Sequence, residues 1–194
     1  MRDKQQKLLD FTEKKVKTLF QDFPVPAHGI DHVKRVVKWI RKIARQEKQD
    51  VFLAELAALL HDIGRVAEHR SKSGKMRHHE LSYILAKQWF KKYKVFDILT
   101  SQQKTRLLYA IRYHWNDKAE KYILADILRD ADKLDTFGKI GVQRAKDFYQ
   151  DKDLVRKRVK FQLKTAGHIK TKAAKKIIRQ KNLLAPLKKY LAER

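Results

Sequence analysis

Apolar positions recur with the period of a helix along most of this chain, and alternating runs of strand length are hard to find. Leu8, Thr12, Val16 and Leu19 fall on one face of a first helix, which ends before the turn-forming FPVPAHG at 23–29. Val33, Val36, Val37, Ile40 and Ala44 stripe a second, closing in the polar stretch Arg45–Asp50. The third, Val51 to Ile63, is apolar nearly all round and stops at Gly64, as a helix at the centre of a bundle would. A basic loop follows at 69–77. Leu81, Ile84, Leu85 and Trp89 then mark a fourth helix, Leu107, Leu108 and Ile111 a fifth, and Tyr122 to Leu134 a sixth. Residues 139–165 read as one or two more. In the last segment Ile169, Ala173, Ile177, Leu184, Leu187 and Leu191 keep helical spacing, with Pro186 expected to bend or interrupt it.

The pattern therefore predicts an all-α fold, and a chain of 194 residues with 3 prolines and 6 glycines fits one helical domain spanning 1–194. Charge interrupts every apolar stretch of the N-terminal segment, which suits neither a signal peptide nor a membrane span, so a cytoplasmic protein is expected. The absence of cysteine excludes disulfides, cysteine-ligated zinc and a cysteine nucleophile, leaving nitrogen and oxygen to bind any metal.

Charge adds a second theme. The formal net charge is +25, of which residues 151–194 hold +12 through 15 Lys/Arg against 3 Asp/Glu. Such an excess favours polyanionic partners, either nucleic acid or phosphate-rich small molecules. It is also what Lys-rich, solvated helix faces produce without any partner.

The chemistry sits in the most apolar stretch. LLHDIG at 59–64 sets His61 and Asp62 where a carboxylate costs several kcal/mol unless it is compensated. A divalent cation held between the two side chains would compensate it, and so would a buried His–Asp hydrogen bond with no metal. HGIDHVKRV at 28–36 places His28 and His32 four apart at a helix start, His32 just before the apolar stripe. In RDADKLD at 129–135, Asp132 borders the face marked by Leu128, Ala131 and Leu134, and Asp135 lies one turn on, close enough to support it.

His, then His-Asp, then Asp on successive helices resembles the HD superfamily of metal-dependent phosphohydrolases. The local wording, HGIDHVKRV, LAALLHDIG, HELS at 79–82, the isolated His114, and ILRDADKLDTFGKIGVQR at 127–144, is similar to small bacterial HD proteins that include nucleotide pyrophosphohydrolases. The likeness covers about residues 26–145, with a basic C-terminal helical arm at about 151–194 beyond it. It implies that His32, His61, Asp62 and Asp132 ligate one divalent ion, of Mn, Mg, Fe, Co, Ni or Zn, with positions open for water and phosphate. Imidazoles mixed with carboxylates suit such ions. Water is then the nucleophile, and side chains supply positioning and charge neutralisation. The glycine-tyrosine-proline extension of cyclic-dinucleotide phosphodiesterases is absent after HDIG, as are the extra domains of the alarmone enzymes.

Asp62, His79 and His114 are the expected catalytic set, the two histidines standing where some HD families use them for a second metal or for phosphate. A second ion would need more acidic ligands than the sequence identifies. Arg35, Arg65 and Lys133 are candidates to bind phosphate, and Glu68 or Glu80 to act as general acid or base. His69, His78 and His168 read as surface residues, and Trp39, Trp89 and Trp115 as core. The expected substrate is a phosphate ester or anhydride of a nucleotide. Two alternatives are a nucleic-acid phosphodiesterase fed by the basic arm, and a non-catalytic nucleotide or nucleic-acid binding module.

Overall fold

The computed structural model describes residues 2–25, 29–71 and 76–193. Its helices are α1 (Arg2–Asp22), α2 (Ile30–Gln46), α3 (Val51–Leu60), α4 (Arg65–Arg70), α5 (His78–Lys92), α6 (Ser101–Tyr113), α7 (Ile123–Leu134), α8 (Gly138–Phe148), α9 (Lys152–Thr165), α10 (Lys172–Gln180) and α11 (Ala185–Ala192). There is no strand among the described residues, and none of their helices is long and apolar enough to cross a membrane.

Why α3 forms and where it goes follow from its composition. Asp50 caps its N-terminus by accepting a hydrogen bond from the Leu53 amide, and every residue from Leu53 to Leu60 is buried. A helix without a polar face is stable only when surrounded, and α3 packs against α1, α2, α6 and α7. Glu55 is the charged exception, buried and held bidentately by Arg41 on α2. The helix ends at Leu60, so His61 and Asp62 sit in the turn that follows, shorter than the apolar run suggested.

The loop expected at 69–77 begins later than its composition indicates, because Arg65–Arg70 forms a short helix. Gly64 decides how closely the next element approaches. A Cβ there would lie 2.3 Å from the His78 carbonyl oxygen and 2.4 Å from the Ser82 amide nitrogen. Only glycine lets the start of α5 lie directly on the turn that carries His61 and Asp62, and the Gly64 amide donates to Ser82 Oγ at 2.8 Å.

Residues 139–165 resolve into two helices, separated at Tyr149 and restarted by Asp151, which accepts from the Leu154 amide. Pro186 does not bend a helix. The chain breaks earlier, with Asn182 at φ 47°, and Pro186 starts α11 where its missing N–H costs nothing. Gly138, at φ +71°, turns the chain out of α7 and donates to the Leu183 carbonyl at 2.8 Å.

The segment from 152 onward folds back. α9 and α11 pack on α8, and α10 packs on α2 and α7. One buried side chain fixes that return: Asp130 on α7 accepts from the Lys170 amide, the Thr171 amide at 2.7 Å and the Thr171 hydroxyl at 2.7 Å. Thr171 also caps α10, and Glu47 accepts from the Ala173 amide at 2.7 Å.

Candidate metal centre

α2, the turn after α3, the start of α5, the end of α6 and the end of α7 each deliver one or two polar side chains to a single point. His32, Asp62, His61 and His114 are buried there, and the Asp132 side chain is 31% exposed, leaving one open side. His28, four residues before His32, lies outside the described residues.

The Asp62 carboxylate is the hub. Its Oδ2 lies 3.6 Å from His32 Nε2 and 3.7 Å from His61 Nε2, while its Oδ1 lies 3.5 Å from His78 Nε2 and 3.8 Å from His114 Nε2. Two groups of ligand-type atoms result, each compact enough for a cation: His32, His61 and Asp132, and Asp62, His78 and His114. Asp132 Oδ1 stands 3.4 Å from His32 Nε2.

Each imidazole is oriented by its other nitrogen. His61 Nδ1 reaches the Ala58 carbonyl at 2.8 Å and His114 Nδ1 the Ile111 carbonyl at 2.7 Å. A carbonyl oxygen can only accept, so both rings must donate from Nδ1 and keep a lone pair on Nε2. His32 Nδ1 meets the Asp135 carboxylate at 2.7 Å, and His78 Nδ1 lies 3.3 Å from Glu68 Oε2. All four Nε2 atoms therefore point inward as lone-pair donors. His61 Nε2 is buried with no hydrogen-bond partner among the described residues, and His78 Nε2 faces His114 Nε2 at 3.4 Å. Two imidazole lone pairs facing each other repel, and a cation between the rings and the carboxylate removes that repulsion. The donor set fits a divalent metal ion of the nitrogen- and oxygen-binding class.

Protonation points the same way. Burial holds the His32 and His114 imidazoles down at about 4, and burial pushes His78 down to about 2 despite the nearby Asp62 carboxylate. These three rings are neutral at pH 7, the state in which imidazole ligates. For Asp132, burial works upward, but His32 and His61 outweigh it and hold the carboxyl below its ordinary range.

Asp135 supports the centre from behind. It takes His32 on one side, Arg35 Nε at 2.6 Å on Oδ1 with Nη2 at 3.1 Å on Oδ2, and Arg144 Nη1 at 2.6 Å. Burial raises its pKa, yet the hydrogen bonds from His32 and Arg35 prevail and keep it ionised. Asp135 thus fixes the tautomer and orientation of His32, as a carboxylate behind a ligating histidine does.

The sequence-derived residues divide. His32, His61, Asp62, Asp132 and His114 meet at the centre. His79, expected in the catalytic set, stands beside it: its ring stacks on Trp115 at 4.9 Å and is 6.5 Å from His114. The neighbour His78, read as a surface residue, is the one that enters. The reason is helical register, since α5 turns Ser82, Ala86 and Trp89 inward rather than the Leu81 and Ile84 stripe, and His78 shares that face. The small residues Ser82 and Ala86 carried the signal. Trp115, expected in the core, is 56% exposed.

Among the phosphate candidates, Arg35 is committed to Asp135, and Lys133 to Asp117. Arg65 reaches the centre itself, with Nε 3.2 Å from Asp62 Oδ2 and Nη1 3.3 Å from Glu68 Oε2. Glu68 also accepts from the His78 amide at 3.0 Å, whereas Glu80 is paired with Arg112 at 2.8 Å. Arg144, half-buried behind Asp135, was not anticipated from the sequence.

Known structures share this architecture. The Bacillus subtilis protein YpgQ, solved in complex with ADP, superposes with a TM-score of 0.73 at 19% identity, covering 98% of this chain and 94% of that one. Lin1889 of Listeria innocua gives a TM-score of 0.70 at 20% identity, covering 97% and 93%. A predicted HD superfamily hydrolase from an uncultured Thermotogales bacterium gives 0.59 at 26% identity, covering 84% and 88%. No curated protein matches the chain. The family model described as HD domain matches residues 29–136, the span that begins just before His32 and ends just after Asp135, and the chain belongs to that family.

Proposed function

We propose that the protein is a metal-dependent phosphohydrolase acting on a phosphate ester or anhydride of a nucleotide-like substrate. The observation that carries this reading is the convergence of four imidazoles, each with Nε2 turned inward, on both oxygens of the Asp62 carboxylate. His32, His61, Asp62 and Asp132 would hold one divalent ion, and His78 and His114, with the other Asp62 oxygen, offer a second position. When bound, such an ion activates water and polarises a phosphoryl oxygen.

The chain's own residues do the rest. His61, His114 and His32 are rigid because carbonyl or carboxylate oxygens hold their Nδ1 atoms, so the inward lone pairs need no reorganisation. Arg65 places a guanidinium beside Asp62, where it neutralises charge on a phosphate oxygen. Glu68, within reach of both His78 and Arg65, is the carboxylate best placed to accept or return a proton at the open side. The structural relative solved with ADP supports a nucleotide as the substrate class.

The test is a screen of nucleoside mono-, di- and triphosphates with Mn²⁺, Mg²⁺, Co²⁺ or Zn²⁺ added to chelator-treated protein, the inorganic product being identified. Orthophosphate or pyrophosphate release that requires the metal and is lost in Asp62→Ala is expected. An inert panel with every metal would overturn the reading.

A further inference from the structure

Beside the metal centre is a second feature that the ligand set does not use. A cavity of about 190 Å³ is lined by Arg65 from α4, Thr136 after α7, Arg144 and Phe148 from α8, and Arg158 and Gln162 from α9. Three guanidiniums face this volume, and no carboxylate is among its lining residues. Two of the three are tied to the centre itself, Arg65 to Asp62 and Arg144 to Asp135. The third is not: Arg158 has no ion pair among the described residues and lies 5.4 Å from the Phe161 ring centroid.

Asp62 and Asp135 already offset Arg65 and Arg144, so the charge left uncompensated is that of Arg158, and an anion in the cavity would meet it. The cavity is smaller than the roughly 300 Å³ at which pockets begin to hold whole drug-sized ligands, so it suits a phosphate group rather than a nucleoside. Gln162 adds a polar wall. Its Nε2 donates to the Gly141 carbonyl at 3.2 Å, so it offers the cavity no free donor, and the guanidiniums are what recognise an anion there.

We infer that this cavity is an anion subsite for the phosphate next to the one attacked, so that the substrate class is nucleoside di- and triphosphates and Arg158 sets their preference over monophosphates. A phosphate at the centre sits against Arg65, and the next phosphate, one bridging oxygen away, is delivered into the cavity between Arg144 and Arg158. The inference rests on the phosphohydrolase reading for its substrate, but its site can be probed without turnover. It also gives the C-terminal helices a part in recognition, since Arg158 comes from α9, outside the family-matched span of 29–136.

The experiment titrates inorganic pyrophosphate and orthophosphate into the full-length protein by calorimetry, with and without Mn²⁺, comparing wild type with Arg158→Ala and Arg158→Lys. In the Mn²⁺-loaded protein, where a lone phosphate is held at the ion, loss of a charge-assisted contact predicts about tenfold weaker pyrophosphate binding in Arg158→Ala, partial recovery in Arg158→Lys, and unchanged orthophosphate binding. In turnover, kcat/KM for a nucleoside diphosphate should fall by the same factor while that for the monophosphate holds. Equal losses for both anions, or none, would overturn the subsite. An inert wild type whose pyrophosphate affinity still depends on Arg158 would sink the hydrolase reading and leave the subsite standing.

Discussion

Asp62 differs from the other proposed ligands in having both oxygens engaged, so its replacement should be felt at every imidazole of the centre. Asp62→Ala is expected to lose bound Mn²⁺ altogether by elemental analysis, whereas His61→Ala, which removes one nitrogen, should weaken it. A subtler test concerns Asp135, which touches no ion but orients His32 and ties down two arginines. Asp135→Asn should lower metal affinity by about 10–100-fold while the helical circular dichroism stays unchanged. Of the two adjacent histidines, His78→Ala should impair Mn²⁺ binding and His79→Ala should not, because only the first points at Asp62.

Elements decide which residues can meet. α5 touches the turn that carries His61 and Asp62 only because residue 64 has no side chain, and Gly64→Ala would drive a carbon into backbone rather than into a flexible tip. About 3 kcal/mol of lost stability is the expected cost, measured by urea denaturation, together with weaker metal retention as His78 is pushed back. This junction also marks the limit of what the sequence could disclose. The helices themselves, and the grouping of His32, His61, Asp62 and Asp132, were legible because periodicity and motif order are local properties. Burial of Leu53 to Leu60 followed directly from the missing polar face of α3. The inward turn of His78 was not legible, because the apolar stripe of α5 is partly exposed and a small-residue face replaces it in the interior. Arg144 and Arg158 went unremarked for a related reason: in a chain with 47 lysines and arginines, no single one stands out until the backbone gathers three of them.

At the scale of the whole molecule, the return of the C-terminal helices onto the core depends on one carboxylate. Asp130 is fully buried and takes hydrogen bonds from residues 170 and 171, so Asp130→Ala should cost about 3 kcal/mol in a denaturant titration, roughly 1 for each interaction lost. Metal binding should stabilise the folded chain, raising Tm on addition of Mn²⁺ and lowering it on chelation, by an amount that grows with free metal concentration. Asp130 and Asp132 stand two positions apart on α7, the first answering to the far end of the chain and the second to the metal centre. That neighbourhood carries a temporal consequence for a chain made from its N-terminus onward. Every proposed ligand has been synthesised by residue 132, yet the acceptor that fixes the end of α7 is satisfied only when residue 171 follows. A stalled nascent chain released at residue 150 should therefore bind metal poorly although it contains the complete ligand set, while one released after α10 should bind it well.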